Sequence, residues 1–293
     1  MKKYLISLIL LLNGLIVFSN TDTINYISNF KITPNYTYKG VQGIYVEYQI
    51  DFKELRKKIT NDSILELTKF YFNTTLSLNN IKIKPALGFQ YLKNYNGNLQ
   101  YVKKYDDFNF DNENPISEYY FIPYAALDVD SGEYTINVLS SLNGKDAYGD
   151  NYIQNVIYKN ISIKKPKQYK VTFNIDYLEV ETLNTQKQSW DYNIFNNDKP
   201  DVSVSFLLAN TLIWTDNVRD SYIYAKGPKS KNIQFMVSEN DKIRFRVEDI
   251  DVVFHDFIAE LIIPTPSVSK PQSYTLSKKF GSVKDGSVTW KIE

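Results

Sequence analysis

From Ile44 the chain reads IYVEYQI, from Tyr71 YFNTTLSL, from Tyr134 YTINVLS and from Val156 VIYKNISI. Short runs of β-branched and aromatic residues that alternate with polar ones, bounded by Asn, Asp and Gly, suit strands with one buried face. At this spacing they predict a β-sandwich. Aromatic residues make up 15% of the chain, the bias of half-buried pleated surfaces. With 43% hydrophobic and 23% charged residues, there is enough apolar material for packed cores, which excludes disordered, collagen-like and low-complexity chains. One short helix is predicted over 51–59 (DFKELRKKI), where Phe52, Leu55 and Ile59 share a face at helical spacing.

The first nineteen residues carry Lys2 and Lys3, an apolar run broken by Asn13 and Gly14, and then Val17-Phe18-Ser19. That order predicts a secretory signal peptide over 1–19, cleaved after Ser19, because the run is shorter than the ~20 residues a membrane span needs. The strand pattern that follows is interrupted at Lys164-Lys165-Pro166-Lys167 and resumes with YKVTFNI from Tyr169. The expected fold class is therefore all-β: two consecutive antiparallel sandwiches, 20–165 and 166–293, behind the signal peptide. An Asn- and Lys-rich exported chain without cysteine points to a bacterial protein of the periplasm or the cell exterior.

Residue types narrow the chemistry. The chain has no Cys and one His, His255, which removes disulfides, thiolate metal sites, Cys nucleophiles and any multi-histidine centre. Without Lys2 and Lys3 the 34 basic side chains fall to 32 against 33 acidic ones. They gather on no stripe, so nucleic acid is excluded as a partner. No later segment has the length of a transmembrane helix, so no integral span is expected in the mature chain. With no nucleophile motif beside His255, an enzyme is not expected.

Aspartates instead accumulate in two stretches beside strands. WDYNIFNNDKPDVSVSF holds Asp191, Asp198 and Asp201, and IRFRVEDIDVVFHDFIAELIIP holds Asp249, Asp251 and Asp256. Carboxylates converging at one end of a sandwich repel unless a cation neutralises them. An oxygen-only set in irregular loops suits Ca2+, with its 6–8 oxygen ligands, better than Mg2+. The same residues also suit turn chemistry at Asp198-Lys199-Pro200-Asp201 and capping of a strand end by Asp249 and Asp251.

The segment VEDIDVVFHDFIAE (247–260) resembles the third calcium loop of the C2 domain, and KPDVSV (199–204) resembles the end of that family's first calcium loop. The likeness covers about 169–293. It implies a calcium- and phospholipid-binding sandwich in which Asp201, Asp249, Asp251 and Asp256 are ligands and Asp191 or Asp198 supplies the remaining carboxylate. Three departures are that the tip between Asp251 and Asp256 is one residue shorter than the family's commonest form, that Ala259 stands where the family has Gly, and that the first loop is long. Apolar Ile194, Phe195, Val252, Val253 and Phe254 lie between the carboxylates and would contact membrane or a partner, each contributing about 1.5–3 kcal/mol if fully buried.

In the first half, the segment FIPYAALDVDSGEYTINV (121–138) resembles the closing strands of an immunoglobulin-like accessory domain of bacterial envelope proteins. The sequence thus points to an exported, non-enzymatic module attaching in a calcium-dependent way to phospholipid headgroups or an envelope protein. A structural or adhesive envelope protein without calcium dependence, and a carbohydrate-binding module, are the alternatives that the aromatic content leaves open.

Overall fold

A computed structural model describes residues 26–58, 69–105, 114–145, 151–184, 187, 199–219, 221–250, 255–265, 272–277 and 281–293. Residues 1–19, where the sequence predicts a signal peptide, lie outside the described residues. In chain order the elements up to Lys165 are β1 (Ile27–Tyr38), β2 (Val41–Ile50), helix α1 (Phe52–Lys58), β3 (Lys69–Leu78), β4 (Ile81–Lys82), β5 (Gln100–Tyr105), β6 (Ile116–Pro123), β7 (Gly132–Lys145) and β8 (Asn151–Lys165). After Pro166 come β9 (Gln168–Val180), β10 (Val202–Leu208), β11 (Thr211–Val218), β12 (Ile223–Ser238), β13 (Lys242–Ile250), β14 (His255–Pro264), β15 (Gln272–Ser277) and β16 (Val283–Ile292). The protein is all-β and sandwich-like, and its strand pairs are antiparallel.

Four sheets account for these strands. The orders are β1-β2-β6, then β4-β3-β7-β8 with β5 also on β3, then β11-β10-β13-β14, and β12-β9-β16-β15. Each sheet draws all its described strands from one side of Pro166. Every strand run read from the sequence lies inside an element, because alternation puts one face of each run in a core: Val46, Tyr48 and Ile50 of β2 and Phe70 and Phe72 of β3 are all buried. Helix α1 buries Phe52 and Leu55, as their spacing demands. The 121–138 segment is less regular than two strands, since β6 ends at Pro123 and a buried 3-10 turn, Tyr124–Ala126, precedes β7.

Aromatic pairs join facing sheets. Tyr48 stacks on Phe72 with centroids 3.9 Å apart, and its hydroxyl meets that of Tyr105 at 2.9 Å. Burial and the Tyr105 hydroxyl keep Tyr48 protonated far above the usual phenol range. In the second set, Phe173 of β9 packs on Phe206 of the facing sheet's β10 at 4.8 Å, and Phe206 pairs within its own sheet with Phe245 of β13 at 5.0 Å. Such pairs add about 0.5–1.5 kcal/mol each beyond their buried area.

The lysine-proline stretch is less open than its composition suggests. Lys164 and Lys165 complete β8. Lys165 is buried, its ammonium donates to the Val129 carbonyl, and burial lowers its pKa to about 8. A seam of hydrogen bonds then fastens the two sets of strands. Lys242 N donates to Gly40 O at 3.1 Å, Met236 N to Leu87 O at 3.0 Å, and Gln168 Nε2 to Tyr124 O at 3.0 Å. Gly88 adopts φ +94°, and a Cβ there would sit 2.2 Å from Phe235 Cβ, so only glycine permits this approach.

Asp241 is the polar centre of the seam. It is 1% exposed, and its carboxylate accepts Ser238 N–H at 2.7 Å and Gln42 N–H, from across the seam, at 3.3 Å. Burial raises its pKa to about 7, against the opposing effect of those two N–H groups. Because the folded value lies above the unfolded one, the stability tied to this group is full below about pH 4 and is lost as pH rises through 7. Between pH 5 and pH 8 the protein should therefore lose roughly 2–3 kcal/mol that Asp241→Asn, neutral throughout, does not lose. Urea unfolding of both proteins at the two pH values checks this; equal losses would contradict it.

Candidate functional site

The carboxylates singled out in the second half are positioned by strand register. β13 lies between β10 and β14, with Val202 opposite Asp249 and Asp249 opposite Asp256. Residues directly opposite in an antiparallel pair project to the same face. Val202, Val204 and Phe206 of β10 and Ile243, Phe245 and Val247 of β13 are buried on that face, so Asp249 continues the inward-facing row to the end of the sheet and is 0% exposed. Asp256 is half-buried beside it.

Asp201 closes the arrangement from the other flank. Its backbone N–H donates to Asp249 Oδ1 at 2.7 Å, and its carbonyl accepts from Ile250 N at 3.1 Å. Asp249 thus performs the strand-end capping that its sequence position also suits, with one of its two carboxylate oxygens.

A β-bulge sets which acid faces Asp249. The register shifts between Val247 and Glu248, so that Val247 is opposite Ala259 but Glu248 is opposite Phe257, leaving Ile258 as the extra residue. Without that shift Asp249 would face Phe257. The bulge is clamped from the next sheet: Ser282 N donates to Ile258 O at 2.8 Å. Gly281 stands at φ +98° with its missing Cβ directed to within 1.8 Å of the same oxygen.

Asp201, Asp249 and Asp256 are therefore brought together at one end of one sheet. Asp191, Asp198 and Asp251, and the apolar Ile194, Phe195, Val252, Val253 and Phe254, lie outside the described residues. The stretches that contain them join the chain at this same end, immediately before Lys199 and between Ile250 and His255. Among the described residues no group of three or more His, Cys, Asp or Glu could hold a metal ion. A cation site here depends on carboxylates from those stretches to close it. Trp214 packs partly buried against Phe206, centroids 6.0 Å apart.

Outward from the same sheet, Arg244 Nη2 donates to both carboxylate oxygens of Glu260, at 2.9 and 2.6 Å, while Arg246 bonds Glu248 and Glu260. This ladder straps β13 to β14 beside the bulge. The sequence reading passed over it because neither arginine belongs to a motif; their i, i+2 spacing on an outer strand face was the available signal.

No family profile matches the chain, and no curated protein matches it. One solved structure that it matches is described as a C2 domain, at 13% identity and a TM-score of 0.28, over 43% of this chain and 97% of that one. The likeness is weak and carries no argument about ligand or activity.

Replacing Gly281 with Ala should cost about 2 kcal/mol or more, since it combines a left-handed backbone with a steric conflict at Ile258 O. Denaturant unfolding checks the loss; a change under about 0.5 kcal/mol would show that the bulge is not clamped there.

Proposed function

We propose that this protein is an exported, non-enzymatic binding module whose second half, 166–293, takes a hard divalent cation, Ca2+, at the Asp201–Asp249–Asp256 end of its sheet. Asp191, Asp198 and Asp251 complete the ligand set. The apolar Ile194, Phe195, Val252, Val253 and Phe254 make the contact with phospholipid headgroups or an envelope protein. The observation that carries this reading is the register across β10, β13 and β14, which gathers three aspartates, 55 positions apart at their extremes, at one rim.

The chemistry follows from charge. Carboxylates added to that rim from two loops would repel one another in a partly desolvated place, and a cation that accepts several oxygens in irregular geometry removes the repulsion. Bound Ca2+ would supply positive charge that anionic headgroups can share, and the apolar residues flanking the aspartates would add burial in the membrane interface. The first half, 20–165, is then the spacer that carries this end.

Calcium titration of the mature chain tests the proposal. Exported modules hold calcium with Kd on the order of 10⁻⁴–10⁻³ M, so thermal unfolding should shift upward on adding about 10 mM CaCl2 and return with chelator, by the linkage of binding to folding. Asp251→Asn with Asp256→Asn should abolish the shift. Sedimentation with phosphatidylserine-containing vesicles should need calcium and be lost in Phe254→Ala. An unfolding temperature indifferent to 10 mM CaCl2 would defeat the reading.

A further inference from the structure

A second, chemically different concavity lies at the seam. Between the first set of strands and the β10–β11 turn is a cavity of about 240 Å³, lined among others by Tyr38, Tyr91, Tyr101, Tyr119, Asn210 and Thr211. Ligand sites favour such junctions between packed units. Its volume falls just under the ~300–1,000 Å³ of drug-sized pockets, which suits a single six-membered ring.

The walls are held in place. Asn210 Nδ2 donates to Tyr38 OH at 3.1 Å, Lys39 Nζ donates to Asn210 Oδ1 at 2.7 Å, and Thr211 Oγ1 donates to Phe121 O at 3.3 Å. Tyr101 stacks on buried Tyr120 at 4.0 Å and 10°, and the Tyr120 hydroxyl is anchored by Thr74 Oγ1 at 2.5 Å. The entrance is open: Tyr91 is 58% and Tyr119 51% exposed. A site whose side chains are already ordered loses little entropy on binding.

Past Tyr119 the outer face of β1-β2-β6 continues as a polar hollow. There Asn29 Nδ2 donates to Gln49 Oε1 at 2.7 Å and Gln49 Nε2 to Ser117 Oγ at 2.9 Å. Charged residues along this face pair with each other, Lys31 with Glu47 and Lys103 with Glu118, each at 3.3 Å. The surface therefore offers tyrosine rings, hydroxyls and amides, with its charged pairs neutralised and the Lys39 ammonium bonded to Asn210.

We propose that this seam cavity binds a neutral oligosaccharide, one pyranose lying within it and the next crossing Tyr119 toward Gln49 and Ser117. The apolar C–H face of a pyranose packs on the electron-rich face of a phenol ring, and its hydroxyls both donate and accept, matching tyrosine hydroxyls and carboxamides that also do both. A proline-rich peptide would pack on the same rings but brings carbonyl acceptors and few donors, so it satisfies fewer of the hydroxyls and amides there. Among the described residues a cationic ligand meets carboxylates already paired with lysines, and an anionic one meets Lys39 already held by Asn210. The site shares no residue with the calcium rim, and the two readings stand or fall separately.

Calorimetry of the full mature chain, with chelator present, tests this using neutral hexasaccharides of β-1,4-glucose, α-1,4-glucose, β-1,4-N-acetylglucosamine and mannose, with decaproline alongside. At least one hexasaccharide should bind with Kd below about 1 mM. Tyr91→Ala and Tyr119→Ala, both at exposed rings, should each weaken it at least about tenfold while the unfolding temperature stays within a few degrees. Absence of binding to all four sugars, binding that survives both substitutions, or binding of decaproline alone would overturn the proposal.

Discussion

The position of β13 between β10 and β14 is the constraint on which the functional reading depends. A slip of one residue would turn Asp249 to the opposite face and put its neighbours into the core. The inward row Ile243, Phe245, Val247 forbids that slip, since each is buried against the facing sheet. The bulge at Ile258 then does for β14 what the row does for β13, and it is held by a hydrogen bond from Ser282 and by the bare backbone of Gly281. Packing of apolar side chains thus decides that Asp201, Asp249 and Asp256 come to lie at one end of the sheet, a placement that hydrophobic burial enforces.

The seam is the second organising element. Its glycine contact at Gly88, its buried acid at Asp241 and its tyrosine-lined cavity occur where strands from either side of Pro166 touch. Asp241 is costly to bury and is retained with two backbone N–H donors, one from each side. A polar group satisfied only when both sides are present specifies their mutual arrangement, which apolar contact alone would leave looser.

Much of the fold was legible because alternation is a local signal. IYVEYQI, YFNTTLSL and YKVTFNI each announce a strand with one face in a core, and α1 announces itself through Phe52 and Leu55. What escaped was non-local. Nothing near Lys165 in the chain says that its ammonium will be buried on the Val129 carbonyl, and nothing near Asn210 says that it will bond Tyr38. That Asp201, Asp249 and Asp256 adjoin strand ends was readable, but the bulge that sets Asp256 opposite Asp249 was not, since its clamp, Gly281, comes more than twenty residues later. The tyrosine cavity was invisible for a related reason: Tyr38, Tyr91 and Tyr119 belong to separate elements, and in a chain with 24 tyrosines no one of them stands out.

The most direct measurement is a crystal structure of residues 20–293 grown with millimolar CaCl2. The account predicts a metal peak at the rim of the β10-β13-β14 sheet, with oxygens of Asp249 and Asp256 about 2.3–2.6 Å away and further ligands from 191–198 and Asp251. A rim with no metal, and with the Asp256 carboxylate turned away from Asp249, would contradict it.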